Sequence, residues 1–335
     1  MKSHRTVAVF IPHRGCKNNC VFCDQKTITG VREFDPEQVK AQLAKVFSDP
    51  YAKGAQIAFF GGSFTAIDRK LMCDLLSLAT DYYLKGLSSG IRLSTRPDAV
   101  NSEIISILKS HPVKAVELGI QSTDDGVLRA CQRGCDTKAS FEGARLVKEG
   151  GFEFTAQMMI GLPSSTLEKE MNTANDVIKM GADCARVYPT VVFDGTVLGK
   201  MAQNGEYSPL EEEDAVNRGA EVCGKLISSN VRLLRVGLCE SDELHSPKVL
   251  GGANFSSYGE MVYSRIYLTK LLKRLEETDV KNKALTVLAA PNELSRVCGY
   301  KRINKNVISQ RFSPSSVSFR GDRYVLPFDI KLQIT

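Results

Sequence analysis

Three cysteines fall within eight residues, in Cys16-Lys17-Asn18-Asn19-Cys20-Val21-Phe22-Cys23. The chain between them is too short to carry their thiolates far apart, so they converge on one metal centre. Three ligands instead of four is the informative part. An iron–sulfur cube held by three thiolates keeps one iron open to another molecule, whereas a closed structural site has every position filled. Zinc, with His13 as a fourth ligand, is the competing occupant. The other seven of the ten cysteines lack metal-ligand spacing, apart from Cys131 and Cys135, and read as small buried hydrophobes.

The elements that must position this loop alternate along the chain. It follows an apolar run, Val7–Ile11, and further strand-like runs cover Ala55–Phe60, Ile91–Ser94, Ala115–Ile120, Phe152–Ile160, Ala182–Val192 and Leu233–Cys239. Apolar residues at helical spacing mark Pro36–Phe47, Lys70–Leu84, Ser102–Lys109, Ser140–Lys148, Leu167–Lys179 and Glu211–Ser228 between them. Such alternation predicts parallel strands covered by helices. Polar or glycine-rich residues end several strands: Gly61-Gly62-Ser63-Phe64, Thr95-Arg96-Pro97-Asp98, Gln121-Ser122, Gly161-Leu162-Pro163 and Tyr188-Pro189. Unusual residues at many strand ends are the habit of barrels, where those ends share one face. A dinucleotide fold would want a Gly-x-Gly-x-x-Gly turn after the first strand, and none is there. The expected fold is therefore α/β, a partial (β/α)6 TIM-type barrel over residues 1–240. A loop and helix (241–280) and a small basic C-terminal α/β module (281–335) follow. Within these, residues 241–260 read as loop, Met261–Glu277 as helix, Ala284–Ala290 as strand, and Asn292–Cys298 and Asn304–Arg311 as helices.

Composition narrows the class. Of 335 residues 43% are hydrophobic and 24% charged, which suits a globular core. No apolar run approaches a membrane span. The N-terminal apolar stretch ends at Pro12, too short for a signal-peptide core, so a reducing cytoplasm is expected and a disulfide framework is not. The net charge of +6 is uneven: Lys281 to Thr335 holds ten Lys/Arg against three acids, while the first 280 residues hold 34 against 35. Such asymmetry suits contact with a polyanion, or a solvated basic face.

A set of motifs in fixed order adds a family. Ile11-Pro12-His13-Arg14-Gly15-Cys16, Cys20-Val21-Phe22-Cys23-Asp24-Gln25, Gly61-Gly62-Ser63-Phe64-Thr65 and Ser94-Thr95-Arg96-Pro97-Asp98 come first. Val116-Glu117-Leu118-Gly119-Ile120-Gln121-Ser122, Arg133-Gly134 and Met159-Ile160-Gly161-Leu162-Pro163 continue it. Over roughly two thirds of its length the chain resembles the radical S-adenosylmethionine (SAM) superfamily, and within it the family of the Elongator catalytic subunit. The resemblance implies a 4Fe-4S cluster on Cys16, Cys20 and Cys23, reductive cleavage of SAM to a 5′-deoxyadenosyl radical, and an electron donor such as ferredoxin or flavodoxin. It implies SAM contacts from Phe22 and Ile160 to the adenine, from the Gly61-Gly62-Ser63 turn to the amino group, and from Arg96 and Gln121 to carboxylate and ribose. Each has a plainer reading: an ordinary turn, an Arg96 ion pair with Asp98 or Glu117, a Gln121 that satisfies backbone groups, core packing for Ile160 and Tyr188. Related sequences often carry Arg-Gly-His where this one has Arg133-Gly134-Cys135. The Elongator subunit continues into an acetyltransferase domain, but no Arg/Gln-x-x-Gly-x-Gly/Ala turn follows here. Its acetyl-CoA chemistry is therefore not carried over.

Leu294 to Lys305 lies between two short helices and resembles a degenerate RNA-binding KH element. Gly299, Lys301, Arg302 and Lys305 would touch RNA, with Arg302 in place of the second glycine of the Gly-x-x-Gly turn. A basic cap closing the barrel is the structural alternative. The expectation is a radical SAM enzyme acting on RNA in the manner of tRNA modification, with no membrane partner. The alternatives are an enzyme of the same chemistry on a small metabolite, or an RNA-binding protein with a structural metal. No catalytic residue is assigned; substrate contacts are expected within Arg186–Asp194 and Glu240–Glu260.

Overall fold

The computed structural model describes residues 5–11, 14–16, 18–24, 34–238, 247–255 and 257–335. Pro12, His13, Lys17, Gln25, Cys239 and residues 240–246 lie outside the described residues. The chain divides into two compact units: Met1–Leu210 with Lys225–Asn254, and Glu211–Gly224 with Phe255–Thr335.

The first unit begins with β1 (Thr6–Ile11), α1 (Pro36–Phe47), β2 (Ala55–Gly61), α2 (Arg69–Leu84), β3 (Ser88–Thr95) and α3 (Ser102–Lys109). It continues with β4 (Val113–Gln121), α4 (Asp125–Ala130), α5 (Thr137–Glu149), β5 (Glu153–Ile160), α6 (Leu167–Lys179) and β6 (Cys184–Pro189). A short β7 (Val191–Phe193) and α7 (Val197–Gln203) come next; after α8 (Glu212–Ser228), whose residues up to Gly224 belong to the second unit, follow β8 (Arg232–Val236) and β9 (Val249–Gly252). Seven strands form one parallel sheet in the order β1-β2-β3-β4-β5-β6-β8, curled into a half-barrel. This is the expected partial barrel, with β8 as a seventh strand. Among the described residues no helix is long and apolar enough to cross a membrane.

Local chemistry fixes the boundaries. Each of α1 to α7 is entered through a side chain that accepts from a first-turn N–H: Asp35, Asp68, Asn101, Asp124, Asp136, Thr166 and Thr196. One such cap stabilises a helix by about 1 kcal/mol. Asp136 starts α5 at Thr137, three residues before the expected Ser140, because the cap sets the first turn ahead of the first core-facing residue. The expected single strand Ala182–Val192 is two. Pro189 has no N–H to continue the ladder, and β7 leaves the sheet to pair antiparallel with β9. The stretch 241–260, read as loop, thus contains β9, and the helix after it begins at Tyr258, not Met261.

In the second unit α9 (Tyr258–Glu276) is followed by β10 (Ala284–Ala289), α10 (Leu294–Cys298), α11 (Ile303–Phe312), β11 (Ser316–Gly321) and β12 (Lys331–Ile334). β10 lies at the centre of this sheet, parallel to β11 and antiparallel to β12. Tyr267, Leu271 and Leu275 of α9 share one core with Leu285, Val287, Val297, Ile308 and Val317. The Tyr267 hydroxyl donates to Glu293 Oε2 at 3.1 Å and accepts from the Phe328 N–H at 2.8 Å, so the buried phenol is fully used.

Candidate active site

The cysteine loop leaves β1 and is pinned backbone to backbone. Gly62 N–H donates to Ile11 O, and Ser63 N–H to Arg14 O, each at 2.8 Å. A Cβ on Gly62 would lie 2.0 Å from Arg14 O, and one on Gly15 2.2 Å from Ser63 O, so only glycine fits at either position. The room beside Gly62 is taken by Arg14 of the cysteine loop, and that beside Gly15 by the turn of residues 63–67 after β2. Farther along, Val21 N–H donates to Cys131 O at 3.1 Å and Leu198 N–H to Val21 O at 2.9 Å. Asn18 packs where a side chain on Gly134 would stand. The Arg133-Gly134 motif is thus the floor on which the loop rests.

The loop closes one side of a cavity of about 1190 Å³ in the first unit. Cys16, Cys20, Phe22, Cys23, Gly61, Gly62, Arg96 and Gln121 all line it. Two expected contacts do not. Ser63 is fully buried, its hydroxyl bonded to Thr95 Oγ1 at 2.8 Å and accepting from Arg96 N at 3.2 Å, and it ties the end of β2 to that of β3. Ile160 is fully buried, behind the cavity wall.

Electrostatics concentrate on the thiols. Arg133 Nη1 approaches Cys20 Sγ at 3.5 Å while Nη2 donates to Gly119 O at 2.6 Å. Gly119 leaves space for this; a Cβ there would crowd Arg133 and Gln121. Burial pushes the Cys16 thiol up against the pull of Arg133, and burial, with Cys20 and Cys16 adding, pushes Cys23 up to about 12. Without a bound cation these groups hold their protons, and metal binding must release them.

Whether the residues fit a three-thiolate cluster and SAM is tested by what the protein leaves unpaired. Arg96 makes a two-pronged bond to Asp98 at 2.8 and 2.9 Å, yet its buried Nη1 has no partner among the described residues. Gln121 Oε1 and Arg133 Nε are likewise buried without partners. Gln121 holds φ at 67°, a left-handed backbone that a non-glycine residue keeps only under constraint. Two donors and an acceptor left open beside three soft thiols suit a ligand with carboxylate and hydroxyl groups next to an iron–sulfur centre. Among the described residues no three His, Cys, Asp or Glu side chains form a group that could hold a metal ion.

Deeper in the wall lies a charge network that sequence reasoning missed. Glu117, 1% exposed, accepts from Arg186 Nε at 2.8 Å and Nη2 at 3.1 Å, and from Arg92 Nη1 at 3.2 Å. Glu117 therefore does not serve Arg96. Arg92 and Arg232 both reach Glu153, at 2.6 and 3.0 Å. Burial alone would lower the Arg186 guanidinium; Glu117 and Tyr188 outweigh it and hold it above the usual range. The available signal was period two. Arg92/Ser94, Glu117/Gly119, Gln157/Met159 and Arg186/Tyr188 alternate within apolar runs, and all line the cavity. Arg186 and Tyr188 fall in the stretch expected to meet substrate.

A parallel half-barrel with three thiols and unpaired polar atoms at its strand ends carries its reactive groups where barrel enzymes carry their sites. The Radical SAM superfamily profile matches residues 10–177, and the Radical SAM C-terminal domain profile residues 182–267. The chain belongs to the radical SAM superfamily and is an enzyme of that superfamily. It is 29% identical over 177 residues to the tRNA uridine(34) acetyltransferase of Methanocaldococcus infernus, covering 51% of this chain and 32% of that protein. To Elongator complex protein 3 of Homo sapiens it is 29% identical over 180 residues, covering 53% and 32%. The chain thus spans about a third of the length of these curated relatives. The solved structure of Methanocaldococcus infernus Elp3 with an N-terminal deletion superposes with a TM-score of 0.65 at 21% identity, over 80% of this chain and 63% of that one, a likeness of fold.

Proposed function

We propose that the protein holds a 4Fe-4S cluster on Cys16, Cys20 and Cys23, cleaves SAM reductively, and acts on RNA in the manner of a tRNA-modifying enzyme. The observation that carries the cofactor reading is the trio Arg96 Nη1, Gln121 Oε1 and Arg133 Nε, buried and unpaired beside the three thiols. Held by Cys16, Cys20 and Cys23, such a cluster would supply the electron for reductive cleavage of SAM. The chain's own part is positional. Arg96, oriented by Asp98, offers one N–H to a carboxylate, Gln121 offers a carbonyl to a hydroxyl, and Phe22 offers an apolar face to the adenine. Arg133 places positive charge against the Cys20 sulfur.

The RNA reading rests on the two relatives named for tRNA and Elongator and on the C-terminal excess of basic residues. In the second unit Lys301 and Arg302 are exposed on the turn between α10 and α11, and β10-α10-α11-β11 keeps the order of a minimal KH unit. Gly299, at φ 92°, has a separate structural duty: a Cβ there would lie 2.6 Å from Asn304 N. The buried Asn304 donates to Ser264 O at 2.9 Å and Val297 O at 3.1 Å and fixes the turn. A cytoplasmic protein reduced by ferredoxin or flavodoxin completes the reading. Anaerobic incubation with cellular RNA and SAM, followed by nucleoside mass analysis, tests it. A new nucleoside in the wild type and none with Cys20→Ala is the expected result. Unchanged RNA alongside steady 5′-deoxyadenosine formation moves the substrate to a small metabolite.

A further inference from the structure

The cavity wall formed by β6 and β8 carries more arginines than the ion pairs of Glu117 and Glu153 take up among the described residues. Arg186 and Arg235 are direct partners across the two strands. The register slips by one residue between Ala185 and Arg186, so Leu234 is the extra residue of a bulge. Without the bulge Arg235 would stand opposite Val187, which is fully buried. A one-residue slip exchanges the faces of a strand, and bulges recur beside active sites because they re-aim a side chain. Here the slip brings Arg235 into register with Arg186, and both residues line the cavity.

Like charges directly opposite on neighbouring strands repel, so the arrangement needs a counter-charge. Both Glu117 oxygens are engaged by Arg186, with Arg92 sharing one, and Glu153 is divided between Arg92 and Arg232. Three guanidiniums already face two carboxylates. Arg235, half-buried, adds a fourth and has no carboxylate or hydrogen-bond partner among the described residues. We propose that Arg235, in register with Arg186, is an anion-binding residue for the substrate, gripping a doubly bonding oxyanion such as phosphate. Guanidinium groups match that geometry two bonds at a time. The subsite is separate from the polar atoms at the ends of β3 and β4: β8 is three strands from β4, about 14 Å along the sheet. On the RNA reading, on which this assignment rests for the source of the anion, the group is a backbone phosphate next to the reacting nucleotide.

The test uses the cluster-reconstituted protein, bulk tRNA and inorganic phosphate as probes, and the variants Arg235→Gln and Arg235→Lys. Arg235→Gln is expected to weaken tRNA binding at low salt about tenfold to a hundredfold. It should also reduce the slope of log affinity against log salt by about one, and Arg235→Lys should recover part of the loss. Removing an uncompensated charge should leave the melting temperature unchanged or raise it; a lower one would mark Arg235 as a structural ion-pair member and overturn the assignment. Equal tRNA affinity in wild type and Arg235→Gln overturns the subsite while leaving the RNA reading standing. Should the wild type bind no tRNA yet be stabilised by inorganic phosphate in an Arg235-dependent way, the subsite stands and the RNA reading fails. Absence of both responses overturns the subsite.

Discussion

Gly62 and Arg14 are fitted backbone against backbone, with the Arg14 carbonyl oxygen 2.0 Å from where a Gly62 Cβ would be and accepting from Ser63 N–H at 2.8 Å. The turn after β2 therefore acts as a mould for the cysteine loop. Gly62→Ala must push that loop away, at a cost of about 1–3 kcal/mol. Reconstitution should give clearly less iron per chain than the wild type. A variant with full iron content and an unchanged melting temperature would contradict the fit.

Glu117 is the counter-charge of two arginines in a wall almost closed to water, with side-chain exposures of 2% for Glu117 and 5% for Arg92. Glu117→Gln leaves Arg92 and Arg186 facing a neutral amide. Breaking a buried pair from one side costs about 3–5 kcal/mol. Urea denaturation should report a loss of that order; a loss below about 1 kcal/mol would mean that water screens the pair.

Arg133 touches Cys20 and the β4 carbonyl of Gly119 at once. Cluster potentials follow net charge and hydrogen bonds to sulfur. Arg133→Gln, which removes a positive charge beside a ligand, should shift the midpoint potential of the reconstituted centre to lower values. An unchanged potential at full iron occupancy would confine Arg133 to holding the loop.

Lys301 and Arg302 both hold left-handed backbone, at φ 51° and 64°. Their replacement by alanine removes two charges while keeping the same backbone demand, so a change in stability is not expected. tRNA affinity should fall, and the salt slope should drop by about two. Binding that survives the double change would remove the turn from the RNA-binding surface.

Much of the first unit was legible because short-range signals agree there. Pro36–Phe47, Ser102–Lys109 and Leu167–Lys179 match the observed helices end to end, since cap and apolar period begin together. Cys16, Cys20 and Cys23, singled out by spacing, all line the cavity. What stayed hidden depends on distance along the chain. Arg186 meets Glu117 across 69 residues, and Arg133 meets Cys20 across 113. The β6–β8 bulge exists only in the paired register, so no single strand could reveal that Arg235 turns inward. The use of the Ser63 hydroxyl on Thr95 and Arg96 N was likewise invisible in the sequence, since both partners lie more than thirty residues on.

The central claim is that the three thiols and the unpaired polar atoms around them hold a SAM-cleaving iron–sulfur centre. Purification without oxygen, iron and sulfide analysis, and reduction in the presence of SAM test it in one sequence. The account predicts a brown protein with about four irons per chain that releases 5′-deoxyadenosine, and a Cys20→Ala variant that does neither. A colourless zinc protein that leaves SAM intact would contradict it.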